Sequence, residues 1–173
     1  MQYINIEIKA RCFHPEMVEA FLFPHNARFA GTDYQKDIYF NVPKGRLKLR
    51  QGNIENNLIY YNRSDQKEPK QSDFYLSPVH DSSSLQTLLT EALGVKVIVE
   101  KKRKIFFLDN IKIHLDEISN LGSFVEIEAS NMSSPEISVE TLHEQCKQLM
   151  HHFGIKEEDL IETSYSDMLI EKV

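Results

Sequence analysis

Three cations occupy alternate positions in the run Arg46-Leu47-Lys48-Leu49-Arg50, and two carboxylates do the same in Val125-Glu126-Ile127-Glu128. Side chains alternate across an extended strand, so each charged set shares one face and the apolar residues share the other. A row of arginine and lysine suits an extended polyanion, because a guanidinium presents a planar fork to phosphate oxygens and an ammonium a point charge. Adjacent carboxylates suit a hard divalent cation, which takes oxygen ligands and bridges to phosphates. The same parity groups Asn5, Glu7, Lys9 and Arg11, then Tyr61 with Arg63, Lys101 with Arg103, and Lys112 with His114 and Asp116. Alternation alone is the ordinary mark of a sheet with one face in water. A solvated face usually mixes signs, however, whereas here they segregate by strand, and the residues on this face, Asp37 included, carry an excess of cations. In a chain of net charge -6, that local excess predicts a phosphate-bearing ligand inside a closed sheet, with the apolar faces turned outward under helices.

The elements that must hold these residues follow from the pattern. Alternation marks strands at 3–11, 34–41, 46–50, 57–63, 96–107, 110–117 and 122–130, with a weaker eighth at 72–78. Pro15 and Pro24 bracket a short helix. A second helix runs through SSSLQTLLTEALG, with serine caps and Gly94 as its stop, and a third lies between Ser138 and Gly154. The amphipathic piece SYSDMLIEKV closes the chain. The expected fold is α+β and mainly β: an eight-stranded antiparallel closed barrel with helices packed outside, a single domain over 1–173.

Composition excludes several classes. Hydrophobic residues make up 41% and charged residues 27%, values of a globular protein. No apolar run approaches the roughly 20 residues that span a bilayer, and Met1 leads directly into a strand pattern, so no membrane partner and a cytoplasmic location are expected. Cys12 and Cys146 do not make a disulfide framework or a zinc spacing. The acidic net charge argues against nucleic acid as the main partner. His151 and His152 are adjacent on a helix and do not face one ligand together.

Read in order, NIEIKAR, QKDIYF, GRLKLR, LIYYNR, PKQS, VEKKR, IHLD and LGSFVEIE, with SYSDML near the end, resemble the CYTH superfamily, and within it the CyaB-like class IV adenylyl cyclase branch. The resemblance implies a triphosphate tunnel open at both ends, a nucleoside triphosphate or other triphosphate as partner, Mg²⁺ or Mn²⁺ as cofactor, and a homodimer as a fitting assembly. It makes Lys9 and Glu7 catalytic, with Arg46, Lys48, Arg50, Arg63, Lys70, Lys101 and Arg103 as triphosphate contacts. Glu7, Asp116, Glu126 and Glu128 become the expected metal ligands. The family signature Glu-x-Glu-x-Lys reads here as Asn5-x-Glu7-x-Lys9, an amide where a carboxylate is usual. That change weakens the expected metal site and leaves three activities open. These are conversion of ATP to cAMP and pyrophosphate, hydrolysis of tripolyphosphate or thiamine triphosphate, and non-catalytic binding of nucleotide or polyphosphate.

Overall fold

The computed structural model describes residues 2–63 and 69–172, apart from the side chains of Gln2, Arg63 and Lys70. Its strands are β1 (Gln2–Arg11), β2 (Arg28–Phe40), β3 (Arg46–Gln51), β4 (Asn56–Arg63), β5 (Lys70–Pro78), β6 (Val95–Leu108), β7 (Ile111–Ile118) and β8 (Gly122–Ser130). They close into an antiparallel barrel in the order β1-β5-β4-β3-β2-β6-β7-β8. Closure pairs each described strand on both edges, and it depends on β5, the segment with the faintest alternation, which joins β1 to β4.

The second strand begins at Arg28, not at residue 34 as the alternation predicts. Its first residues pair with the end of β6 as far as Arg28↔Phe107, across a register shift between Phe29 and Gly31. Gly31 has φ +128°, which side-chain-bearing residues rarely adopt, and a Cβ there would meet Ile54 Cδ1 at 2.9 Å. A bulge of this kind breaks the two-residue period, so the start of the strand reads as a loop.

The helices are α1 (Pro15–Leu22), α2 (Ser82–Leu93), α3 (Val139–His152) and α4 (Tyr165–Glu171). Ile6, Ile8, Ile113, Leu115, Val125 and Ile127 point outward beneath Leu142, Cys146 and Leu149 of α3 and Val18 and Leu22 of α1. Ile38, Phe40 and Leu49 meet Leu85 and Leu89 of α2 on another side of the barrel. Each fully buried aliphatic side chain here contributes about 1.5–3 kcal/mol, so the outer shell, and not the barrel interior, supplies most of the hydrophobic stabilisation. The cap of α2 is Asp81 and not a serine: its carboxylate accepts from Ser84 N at 3.1 Å and from Ser84 Oγ at 2.6 Å. Ser138 and Ser164 cap α3 and α4 by accepting from Thr141 N and Asp167 N.

Candidate functional site: a charged cavity through the barrel

Because the outward faces are apolar, alternation turns the charged faces inward, where they line a cavity of about 220 Å³. At one end its lining includes Asp109 and Asn110 of the β6–β7 turn, with Met132 and Ser133 beyond β8. At the other it meets Ser164 and Tyr165, where α4 enters, beside an apolar collar of Tyr39, Tyr61 and Phe124. The C-terminal helix thus covers one mouth of the expected two-mouthed tunnel.

Asp37 on β2 is the hub of the cations. Its carboxylate, fully buried, accepts from Arg50 Nε and Nη2 at 2.8 Å each, from Lys101 Nζ at 2.8 Å and from Lys48 Nζ at 3.1 Å. Burial would raise the Asp37 carboxyl, but Arg50, Lys101 and Lys48 hold it well below the usual range. Lys101 is lowered as well, but for it burial is the main cause: with Arg103, Arg50 and Lys48 adding to it, burial prevails over the favourable Asp37 and leaves the amine at about 7. Arg103, 2% exposed, grips Asp116 through Nε at 2.6 Å and Nη2 at 2.5 Å and reaches Glu126 Oε2 at 2.8 Å. Tyr165 donates its hydroxyl to Asp116 Oδ2 at 2.8 Å. Lys9 Nζ donates to Thr163 O at 3.3 Å, lies 3.4 Å from Glu126 Oε1, and sits 4.0 Å from the centre of the Tyr165 ring.

Across from the Asp37 hub, ligand atoms of His114, Glu126 and Glu128 lie within 4.8 Å of one another. Burial lowers the His114 imidazole, and nearby Arg103 adds to it, so the ring is neutral at physiological pH. Its Nδ1 faces Glu126 Oε2 at 3.2 Å and Glu128 Oε1 at 3.6 Å, while Nε2 is buried without a hydrogen-bond partner. Glu126 is held well below its usual value, burial being overcome by Arg103, Lys9 and His114. Glu7 stands opposite Glu128 in the β1–β8 register, and Asn5, opposite Ser130, carries a buried Oδ1 without a partner. A neutral imidazole, a cluster of carboxylates and an unpartnered amide oxygen form a donor set that fits Mg²⁺ or Mn²⁺.

The structure brings Glu7, Lys9, Lys48, Arg50, Lys101, Arg103, Glu126 and Glu128 to this one cavity. Asp116 lies behind it, engaged by Arg103 and Tyr165 and outside the three-residue acidic group. Arg46, at the covered mouth, donates to Asp167 of α4 at 2.7 Å. Arg11 points away, exposed at the rim, with Nη1 on Leu121 O at 3.3 Å. The expectations for Arg63 and Lys70 fall on side chains outside those described. Sequence reasoning missed Glu55, in the β3–β4 turn, whose carboxylate bonds Arg50 Nη1 at 3.0 Å and Lys112 Nζ. It also missed buried Asp33 and Gln35 on β2, and Tyr165. Glu55 pairs with Arg50 and Lys112, Asp167 pairs with Arg46, and Arg11 turns away, so the excess inferred from parity is offset among the described side chains.

A CYTH domain family model matches residues 3–165. Two proteins named as putative adenylate cyclases are similar to this chain. One, from Methanocaldococcus jannaschii, is 22% identical over 174 residues, which cover 95% of this chain and 98% of that protein. The other, a solved structure from Vibrio parahaemolyticus, has a TM-score of 0.78 at 19% identity, over 96% of this chain and 98% of that one. A solved protein of Pyrococcus horikoshii gives a TM-score of 0.79 at 24% identity, over 94% and 98% of the two chains. These structures share the barrel fold.

Proposed function

Because the chain belongs to the CYTH domain family, we propose that it binds a metal-complexed triphosphate along the barrel interior and converts ATP to cAMP and pyrophosphate, as class IV adenylyl cyclases do. The observation that carries this reading is the pairing, within one cavity, of a buried cation cluster around Asp37 with the compact His114–Glu126–Glu128 group. The adenylate cyclase names of the Methanocaldococcus and Vibrio proteins agree with it.

In this reading Lys48, Arg50 and Lys101 turn from Asp37 toward phosphate oxygens, and Arg103, whose Nε and Nη2 hold Asp116, offers its remaining Nη1. Glu126, Glu128 and His114, with Glu7 alongside, would hold Mg²⁺ or Mn²⁺. When bound, the ion neutralises charge on the phosphate oxygens and acidifies the attacking hydroxyl. The ribose 3′-oxygen attacks the α-phosphorus, the bond to pyrophosphate breaks, and the hydroxyl proton passes to a basic group of the cavity. Lys9, the basic residue of the family signature, which donates to Thr163 O beside Glu126, is the acceptor in this reading, since Lys101 is engaged on phosphate. A second reading, retention of the triphosphate without turnover, is favoured by Asn5, which replaces a signature carboxylate.

The test is a panel of ATP, thiamine triphosphate and tripolyphosphate with Mg²⁺ and with Mn²⁺, following cAMP, pyrophosphate and phosphate separately. Equal amounts of cAMP and pyrophosphate from ATP are expected. Phosphate release from any of the three would replace cyclisation by hydrolysis, and binding without product would leave the second reading.

A further inference from the structure

Glu55 belongs to no strand, yet its position is built. The buried Asp33 carboxylate accepts from the backbone N–H groups of Ile54 at 2.9 Å and Glu55 at 3.0 Å. A Cβ on Gly52 would come within 2.5 Å of that carboxylate, so the turn closes on Asp33 only with glycine there. The locked turn carries the Glu55 side chain over the cavity, where it bridges Arg50 of β3 and Lys112 of β7 and also accepts from Gln35 Nε2 at 3.2 Å. The other acids that pair with the cavity cations stand on strands; Asp37 and Asp116 are fully enclosed, while Glu55 is 16% exposed and hangs from a turn. Burial raises its carboxyl, but Lys112 and Arg50 hold it well below the usual range, so it is an anion at every physiological pH.

A carboxylate gripped by an arginine and a lysine makes the contacts that a phosphate group would make with the same two cations. We propose that Glu55 is an internal competitor for the triphosphate: it neutralises Arg50 and Lys112 until an incoming polyanion displaces it, and so it sets how much charge a ligand must bring. This rests on the reading that a triphosphate binds in the barrel. A monophosphate exchanges one anionic contact for another and gains little. A tripolyphosphate displaces Glu55 and engages Lys48 and Lys101 as well, so the residue discriminates against short anions while lowering affinity for long ones.

Calorimetric titration of tripolyphosphate, pyrophosphate and orthophosphate into the wild type, Glu55→Gln, Lys112→Gln and the double variant tests this, in chelator and at constant ionic strength. Glu55→Gln is expected to bind tripolyphosphate about tenfold or more tightly than the wild type and to bring pyrophosphate into the measurable range. The gain should shrink to less than about threefold in the Lys112→Gln background, because the competitor then guards fewer contacts. In thermal melts, which also verify folding, tripolyphosphate should raise the Tm of Glu55→Gln more than that of the wild type. Unchanged or weaker binding by Glu55→Gln, with a wild type that binds, overturns the competitor role and leaves the triphosphate reading standing. No binding by any variant, either in chelator or in a repeat with Mg²⁺ in cell and syringe, overturns both.

Discussion

Lys48 and Arg103 both face the cavity, but losing them should have different consequences. Lys48→Ala leaves Asp37 held by Arg50 and Lys101, so stability should change little while triphosphate binding weakens by about 1.5–3 kcal/mol. Arg103→Ala strips Asp116 of its only described ion-pair partner and should destabilise the fold by about 3–5 kcal/mol, the scale for an uncompensated buried charge. Urea melts of the two variants beside ATP titrations separate the cases. Strand parity was enough to bring Glu7, Lys9, Lys48, Arg50, Lys101 and Arg103 to one cavity, since alternation fixes which side each faces. Glu55 was not legible in this way. A turn residue has no period, and its direction is set by Asp33, itself in a stretch of β2 that the bulge disguised.

At the scale of elements, the strands and helices were legible wherever apolar spacing was regular, and errors gathered at ends and irregularities. The start of β2 was hidden by its bulge, and the α2 cap by a row of serines following Asp81. Substitution tests that cap directly. Asp81→Ala should cost about 0.5–2 kcal/mol of stability, whereas Ser82→Ala, which removes no capping acceptor, should fall within about 0.5 kcal/mol of the wild type. Equal effects in chemical denaturation would contradict the assignment. The role of α4 could not be seen from its own pattern, because covering the mouth depends on where Tyr165 and Asp167 meet Asp116 and Arg46 across the barrel. Those contacts join residues about 50 and 121 positions apart.

For the molecule as a whole, burying so many charges ties stability to pH, and the signs follow from the direction of each shift. Asp37, Asp116 and Glu126 are depressed, so the stability they contribute is fully present above the usual carboxylate range, about pH 4, and is lost as pH falls toward their folded values. Lys101 is also depressed, from 10.5 to about 7, so above neutrality the unfolded chain holds a proton that the folded chain does not, and stability rises with pH. That rise ends near the ordinary cysteine value, since the Cys12 thiol, pushed up by burial, and the Cys146 thiol, pushed up to about 12, keep their protons in the folded state alone. The wild type should therefore be more stable at pH 8 than at pH 6.5, and Lys101→Met should lose most of that difference, the depressed His114 imidazole keeping a smaller part of the same sign, as urea unfolding at the two pH values will read.

The central claim is that the charged interior of the barrel receives a metal–triphosphate complex. Paramagnetic broadening tests it most directly, in a titration of labelled protein with Mn²⁺ and tripolyphosphate followed by nuclear magnetic resonance. Saturable loss is expected, at one equivalent of complex, of the signals from His114, Asn5, Glu126 and Glu128, which the shared cavity and the β1–β8 register hold close together. Signals from α2, on the outside of the barrel, should persist. Broadening confined to exposed acids such as Glu117 and Asp81, with His114 unaffected at saturation, would contradict it.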